Sequence, residues 1–164
     1  MQVSKQEIIV GIDPGSKATG YAFLYVEHKK VKPLSFGVIK TNPKMTLAKR
    51  ITLLYEELNK LIAEFKPTIA SIEKIFYAKN VRSLVSLGEA RGVLLLALEQ
   101  AQIPIYEYSA REVKKAVVGN GNASKQQVQY MVKNIIKIKD EKLQFDITDA
   151  LAIALCHVNK LQYV

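Results

Sequence analysis

Four acidic residues are placed so that they could act together on a phosphate ester. Asp13 and Glu73 each follow an apolar segment, and Asp146 and Asp149 lie at the start of a predicted helix. Carboxylates that converge repel one another unless cations lie between them, and Mg²⁺ prefers oxygen ligands of this kind. Two such ions can activate a water molecule and stabilise the leaving oxygen of a phosphodiester. The four acids therefore predict metal-dependent phosphodiester hydrolysis.

Two of these acids are predicted to stand at strand ends. The apolar segment Ile8–Ile12 is typical of a buried strand and stops at Asp13, and the segment TIASIE stops at Glu73 in the same way. Side chains at the ends of central strands emerge from the core into a cleft. The residues PGS after Asp13 indicate a tight turn, so an aspartate that only caps its own hairpin is an equal alternative for Asp13 alone.

The other two acids lie three positions apart at the start of the last predicted helix. Asp146 and Asp149 therefore share one face of that helix. Acids at a helix N-terminus are also favoured by the helix dipole, and this effect alone would explain one of the two. It does not explain Glu73 at a strand end, so we expect all four carboxylates to converge.

The elements that must position these acids alternate between strands and helices. We expect a mixed α/β domain over residues 1–164, with three meandering strands followed by two further strands and with helices that cover the sheet. Apolar spacing and turn residues place the later strands at 33–41, TIASIE and IPIYEYS, and helices at 45–65, 81–100, 109–118, 125–138 and 146–161. Ser124 and Gln127 form the pattern of a capping box.

Composition narrows the class of protein. The apolar share is 49% and the charged share 24%, which is typical of a globular domain. The longest apolar run, Val93–Leu98, is too short to cross a bilayer, and no signal-peptide pattern opens the sequence. Cys156 is the only cysteine, which excludes a disulfide framework and a cysteine zinc site. We therefore expect a cytoplasmic protein.

The charge balance favours a polyanionic partner. Lys and Arg number 24 against 15 Asp and Glu, which gives a net charge of +9. The excess of positive charge is concentrated between Ser109 and Lys142, a segment with eight basic and three acidic residues. A generally basic protein is the alternative, but this concentration indicates a surface that faces phosphates.

Four segments resemble the RuvC family of bacterial Holliday-junction resolvases. They are GIDPGSKATGYAFL, IEKIFYAKNVRSLVSLGEARG, YEYSAREVKKAVVGNGNASKQQVQYMV and DITDALAIALCH, and the resemblance runs from about Val10 to His157. It implies an RNase H-like fold with a mixed five-stranded sheet, a homodimer, and paired nicks in four-way junction DNA that depend on two Mg²⁺ ions per subunit. It also implies handover of the junction by a branch-migration motor, RuvA and RuvB.

The resemblance assigns roles to individual residues. Asp13, Glu73, Asp146 and Asp149 are expected to be both catalytic and metal-binding. The residues expected to bind DNA are Lys114 and Lys125 near the junction strands, Phe76 as an aromatic that stacks at the opened centre, and Tyr77, Lys79 and Arg82 beside it. A Phe76 that belongs to the core, or a Tyr77 that stacks in its place, is the alternative.

The sequence departs from the family pattern at a few points. KIKDEKLQF is the least family-like stretch, and some members carry His where this chain has Asp146, so no histidine role is implied. We expect His157 on a helix face rather than as a ligand, and Cys156 in the core. The helix Val81–Gln100 is apolar on more than one face and so has surface available for a partner. A helix buried in a monomer is the alternative, and it is mainly the family resemblance that favours the dimer.

Three other functions remain as alternatives. A related RNase H-like nuclease that processes RNA would use the same acids. An actin-like or sugar-kinase-like ATPase has a turn similar to GIDPGS, but such proteins need more chain than 164 residues to enclose a nucleotide. A junction-binding protein without catalysis is disfavoured by the intact acids.

Overall fold

A computed structural model describes residues 6–28, 30–75, 80–140 and 142–161. The strands are β1 Glu7–Asp13, β2 Ala18–Glu27, β3 Lys30–Lys40, β4 Ile69–Glu73 and β5 Ile105–Tyr108. The helices are α1 Leu47–Phe65, α2 Val81–Gln100, α3 Ala110–Val118, α4 Lys125–Ile136 and α5 Phe145–Leu161. In these residues no helix is long and apolar enough to cross a membrane.

The five strands form one mixed sheet in the order β3-β2-β1-β4-β5. β1, β2 and β3 pair antiparallel, whereas β4 lies parallel to both β1 and β5. The mixed five-stranded sheet with flanking helices is thereby confirmed. β3 begins at Lys30 rather than at Pro33, because the register against β2 shifts beside Leu24 and the strand continues past the irregularity. As an edge strand, β3 accommodates Pro33 without losing a central ladder bond.

Each face of the sheet carries its own apolar core. On one face, α1 and α2 place Leu54, Leu58 and Leu94 against Ile12 of β1 and Phe23 of β2. On the other face, α5 packs directly on β1 and β2, and α3 and α4 pack around it. Alternation along β1 supplies both cores, because successive side chains of a strand point to opposite faces.

α5 is the most deeply buried helix, and its burial settles two expectations. Cys156 is buried, so its prediction as a core residue is confirmed. His157 lies on α5 but is buried as well, and its Nδ1 is 2.6 Å from the hydroxyl oxygen of Tyr108. Burial lowers the pKa of His157. His157 is thus a core residue of the α5–β5 contact and not a surface residue.

Local capping defines the helices that approach the acids. Ser124 and Gln127 form the expected capping box at the start of α4. α4 ends at Ile136 and not at Ile138, because Lys137 adopts a left-handed conformation with φ 59° and its N–H bonds to the carbonyl of Lys133. The predicted helix was therefore two residues too long.

Two glycines let α5 lie against the sheet. A Cβ atom on Gly11 of β1 would lie 2.2 Å from the backbone oxygen of Ala150, and one on Gly20 of β2 would lie 2.0 Å from the backbone oxygen of Asp146. Both atoms belong to the α5 backbone, which cannot move aside as a flexible side chain could. Any larger residue at either position would push the start of α5 off the sheet.

We expect Gly20→Ala to lower the free energy of unfolding. The control is Gly92→Ala, on the exposed side of α2, which should not lower it. The added methyl group at position 20 overlaps α5, and overpacking costs about 1–3 kcal/mol of unfolding free energy. A Cβ atom placed on Gly92 would lie more than 4 Å from every described atom outside the adjacent backbone of its own helix. Alanine at this position should therefore stabilise the helix by about 0.5–1 kcal/mol. Urea unfolding followed by circular dichroism measures both. A Gly20→Ala protein as stable as wild type would show that this contact is not tight.

Candidate active site

Two carboxylates are brought together by the parallel pair β1 and β4. Asp13 is the last residue of β1 and Glu73 is the last residue of β4. The residues just before them, Ile12 and Ile72, pair in register. Because parallel strands end at the same edge of a sheet, the two acids emerge side by side.

The other two carboxylates come from the first turns of α5. Asp13 pairs with Gly20 across the β1–β2 ladder, and Gly20 is the residue against which the backbone of Asp146 packs. The start of α5 is therefore fixed directly beside the end of β1. Asp149 follows one turn later, on the same side of the helix.

All four acids line one cleft, and two lysines line it with them. The cleft has a volume of about 320 Å³. Its polar lining residues are Asp13, Glu73, Lys114, Lys125, Asp146 and Asp149, and apolar residues of α3, α4 and α5 form the rest of its wall. The convergence expected from the sequence is thus present in the structure.

The electrostatic state of Asp13 shows how strongly the acids interact. Burial, together with the neighbouring carboxylates of Asp149, Glu73 and Asp146 in that order, raises the pKa of Asp13 to about 8, although Lys125 acts in the opposite direction. A carboxylic acid with this pKa holds a proton at neutral pH unless a cation takes the place of that proton. Asp13 is the deepest part of the charged cluster.

The lysines offset part of this repulsion. Burial raises the pKa of Glu73, with a contribution from Asp149, and Lys125 and Lys114 lower it. Burial also raises the pKa of Asp149, against the opposing effect of Lys125. The Lys125 Nζ atom lies 3.9 Å from Asp149 Oδ2, at the wide limit of an ion pair, and its side chain is 66% exposed. Lys125 thus stays free to contact a phosphate.

The donor chemistry of the cleft suits a hard divalent cation. All four candidate ligands are carboxylates, and their mutual repulsion is what a cation would relieve. In the described part of the chain no three His, Cys, Asp or Glu side chains form a cluster that could hold a metal ion. Mg²⁺ commonly takes one or two carboxylates and completes its shell with water and substrate phosphate, so this spacing fits a metal that binds with substrate.

Arg91 of α2 holds the backbone beneath Glu73, a role that the sequence patterns did not indicate. Its Nε donates a hydrogen bond of 3.0 Å to the backbone oxygen of Glu73. Its guanidinium also pairs with Glu107 of β5, and the Arg91 side chain is only 13% exposed. Arg91 therefore fixes the end of β4 from the α2 side. Only the tertiary structure reveals this contact.

Among the described residues that were expected to bind DNA, Arg82 does not line this cleft. Arg82 is exposed near the start of α2 and lines a separate groove. Phe76, Tyr77 and Lys79 lie outside the described residues, so their roles stay predictions.

The raised pKa of Asp13 predicts a pH-dependent stability in the absence of divalent cations. Between about pH 4 and pH 8 the unfolded chain releases the Asp13 proton while the folded protein keeps it, so stability falls across this window and levels off above it. Asp13→Asn removes this loss and should melt increasingly above wild type as pH rises. Thermal melts in chelator at pH 5, 7 and 9 measure the difference.

The matched control is Asp140→Asn, at an exposed aspartate outside the cleft whose side chain accepts a hydrogen bond from the Lys142 amide. Asparagine keeps that acceptor, so this variant should follow wild type at each pH. A constant difference in melting temperature between Asp13→Asn and wild type would contradict the raised pKa.

Comparison with known proteins places this cleft in a family. A family model described as crossover junction endodeoxyribonuclease RuvC matches residues 9–157. A protein of that name from Pseudothermotoga lettingae is 43% identical over 150 residues, which cover 92% of this chain and 93% of the relative.

Solved structures agree with the sequence relatives. Thermus thermophilus RuvC in complex with a Holliday junction substrate matches with a TM-score of 0.89 and 30% identity, over 96% of each chain. Another Thermus thermophilus RuvC structure matches with a TM-score of 0.86 and 31% identity, over 95% of this chain and 96% of that one. The expected RNase H-like fold is thereby confirmed. The chain belongs to the RuvC family of crossover junction endodeoxyribonucleases.

Proposed function

We propose that the chain is a Holliday-junction resolvase, a structure-selective endodeoxyribonuclease of DNA recombination and repair, and that the cleft is its active site. The observation that carries this assignment is the meeting of four carboxylates and two lysines in one cavity of the described structure. The family supplies the reaction class, and a relative at 30% identity has been solved with a Holliday junction substrate.

The residues divide into two roles. Asp13, Glu73, Asp146 and Asp149 hold divalent cations, which we propose to be two Mg²⁺ ions per subunit. Lys114 and Lys125 attract the phosphates of the strand to be cut, since they border the acids and carry the opposite charge. Bound cations of this kind supply the charge that activates a water molecule and stabilises the leaving oxygen.

The lysines also reduce the electrostatic repulsion between the four carboxylates and the DNA backbone. Four carboxylates repel a phosphate backbone, and the two lysines lower the pKa of both Glu73 and Asp149. Lys114 is half-buried whereas Lys125 is exposed, so Lys125 has more freedom to follow a moving strand. Together they make the mouth of an acidic cleft accessible to a polyanion.

Paired nicks require two active sites, and we propose that α2 supplies the contact of a homodimer. Val81 is 77% exposed, Val85 53% and Leu96 49%, which is a large apolar surface for one helix. No described atom lies within 4 Å of a Cβ placed on Gly88 or Gly92, so a second helix could approach there. We also propose a cytoplasmic setting and delivery of the junction by RuvA and RuvB.

The segment after Glu73 completes the proposal. Phe76 would stack on an unpaired base at the opened junction, with Tyr77 as the alternative aromatic and Lys79 on neighbouring phosphates. These three residues lie outside the described structure, and their roles rest on the sequence resemblance.

Conversion of any one of the four acids to its amide is expected to abolish nicking. Asp13→Asn, Glu73→Gln, Asp146→Asn and Asp149→Asn each remove a metal ligand, while lower repulsion should keep junction binding at or above the wild-type affinity. Cleavage of a labelled mobile four-way junction in Mg²⁺, with binding measured in Ca²⁺, tests both effects. Ca²⁺ should support binding but little cleavage, because its looser shell positions water poorly.

Asp140→Asn again serves as the control and should nick like wild type. If two or more of the four amide variants resolve junctions at near the wild-type rate, the active site lies elsewhere.

Lys114→Ala and Lys125→Ala are expected to weaken junction binding and to flatten its salt dependence. Each lost phosphate contact reduces the slope of log affinity against log salt by about 0.9. Lys32→Ala, an exposed lysine on β3, should leave the slope unchanged. Junction and linear duplex are titrated at matched salt, and equal affinity for the two by the wild-type protein would favour a general nuclease over a resolvase.

A further inference from the structure

A second groove beside the acid cleft carries three cations, and the sequence indicates a DNA contact for Arg82 but not for Lys17 or Arg50. This basic groove has a volume of about 880 Å³ and is lined by the β1–β2 turn and by the N-terminal parts of α1 and α2. Lys17, Arg50 and Arg82 line it against a single acid, Glu89. None of the three cations forms an ion pair with another described residue.

The hydrogen-bonding state of Arg50 indicates that a partner is missing. Its Nε atom is buried, and no described residue accepts a hydrogen bond from it. A buried donor without an acceptor costs about 1–3 kcal/mol, so natural structures seldom leave one unless an unseen group completes it. The Arg50 side chain lines the groove, so an anion in the groove could accept from its guanidinium.

Two helix N-termini add positive potential to the same place. Thr46, the N-cap of α1, lines the groove, and so does Ser83 in the first turn of α2. Neither described helix has an acid in its first turn, in contrast to α3 and α5. The positive ends of these two dipoles are therefore not balanced by their own sequence.

The basic groove and the acid cleft are lined by neighbouring segments of the chain. An intermediate cavity is lined by Asp13 and Glu73 of the cleft and also by Pro14 and Leu87. The groove lining includes Ser16, in the same turn as Pro14, and Ser86, the sequence neighbour of Leu87 on α2. Lys114 and Lys125 line the cleft but not the groove, so the two cavities carry separate sets of described cations.

We propose that the basic groove binds backbone phosphates of the DNA that leaves the acid cleft on the side away from Lys114 and Lys125. The inference rests on the proposed function, since the DNA is the junction substrate of the acid cleft. Arginine and lysine side chains, hydroxyl groups and helix N-termini are the usual donors to DNA phosphates. The groove thus fixes the register of the strand without reading its sequence.

Removal of the two exposed cations tests the proposal. The double variant Lys17→Gln/Arg82→Gln should bind the junction more weakly, with a salt slope reduced by about 1.8 if two contacts are lost. Arg50→Gln should act in the same direction, with a thermal melt to show that this half-buried position still folds. The control is Lys66→Gln at the far end of α1, ~24 Å from Arg50 at 1.5 Å per residue. It should match wild type.

A scan of neutral phosphates locates the contact. Junctions with one methylphosphonate at successive positions of the cut strand are bound by wild type and by the double variant, both in Ca²⁺. A methylphosphonate at a position that the groove contacts should lower the junction affinity of the wild-type protein. It should cause no further loss of affinity in the double variant. Equal losses in both proteins at every position, or an unchanged salt slope, would overturn the proposal.

Nicking of the unmodified junction by wild type in Mg²⁺ is measured in parallel. Absence of nicking would refute the proposed function, whereas normal nicking with an unchanged salt slope in the double variant would refute only the groove.

Discussion

The contact between α5 and the sheet is the constraint on which the rest of the structure depends. Gly11 and Gly20 leave no side chain between the β1–β2 hairpin and the α5 backbone, so the helix rests on the strands at backbone distance. This approach brings Asp146 to the end of β1, where Asp13 emerges. A helix at the usual side-chain separation would leave its acids outside the cleft. The arrangement of the acids in the cleft thus depends on the absence of a Cβ atom at Gly11 and at Gly20.

That geometry carries an electrostatic cost. Burial is the largest cause that raises the pKa of Asp13 to about 8, and the three neighbouring carboxylates add to it. Lys125 and Lys114 oppose this effect only in part, since Glu73 and Asp149 also keep raised pKa values. The raised pKa values are typical of functional sites, and they predict that any cation bound beside Asp13 would link metal binding to stability.

The sequence predicted those parts of the site that arise from local pattern. Asp13 and Glu73 follow apolar strands, Asp146 and Asp149 share a helix face, and each of these facts is visible within a few residues. Other parts depend on which elements meet in space, and no local pattern contains that information. Arg91 lies eighteen positions after Glu73, yet its Nε bonds the Glu73 carbonyl. The end of α4 was misplaced because a left-handed lysine, not glycine or proline, stops the helix.

α2 joins features that would otherwise be independent. Its exposed apolar side offers a surface to a second subunit, its first turn reaches the basic groove, and its middle holds β4 through Arg91. A shift of this helix would therefore move the backbone of Glu73 and the position of Arg82 together. Because Arg91 also pairs with Glu107 of β5, the helix is tied to two strands rather than one. If a partner subunit packs on α2, its contact bears on the acid cleft through Arg91, which bonds the Glu73 carbonyl, and through Leu87, which lines the cavity beside Asp13 and Glu73.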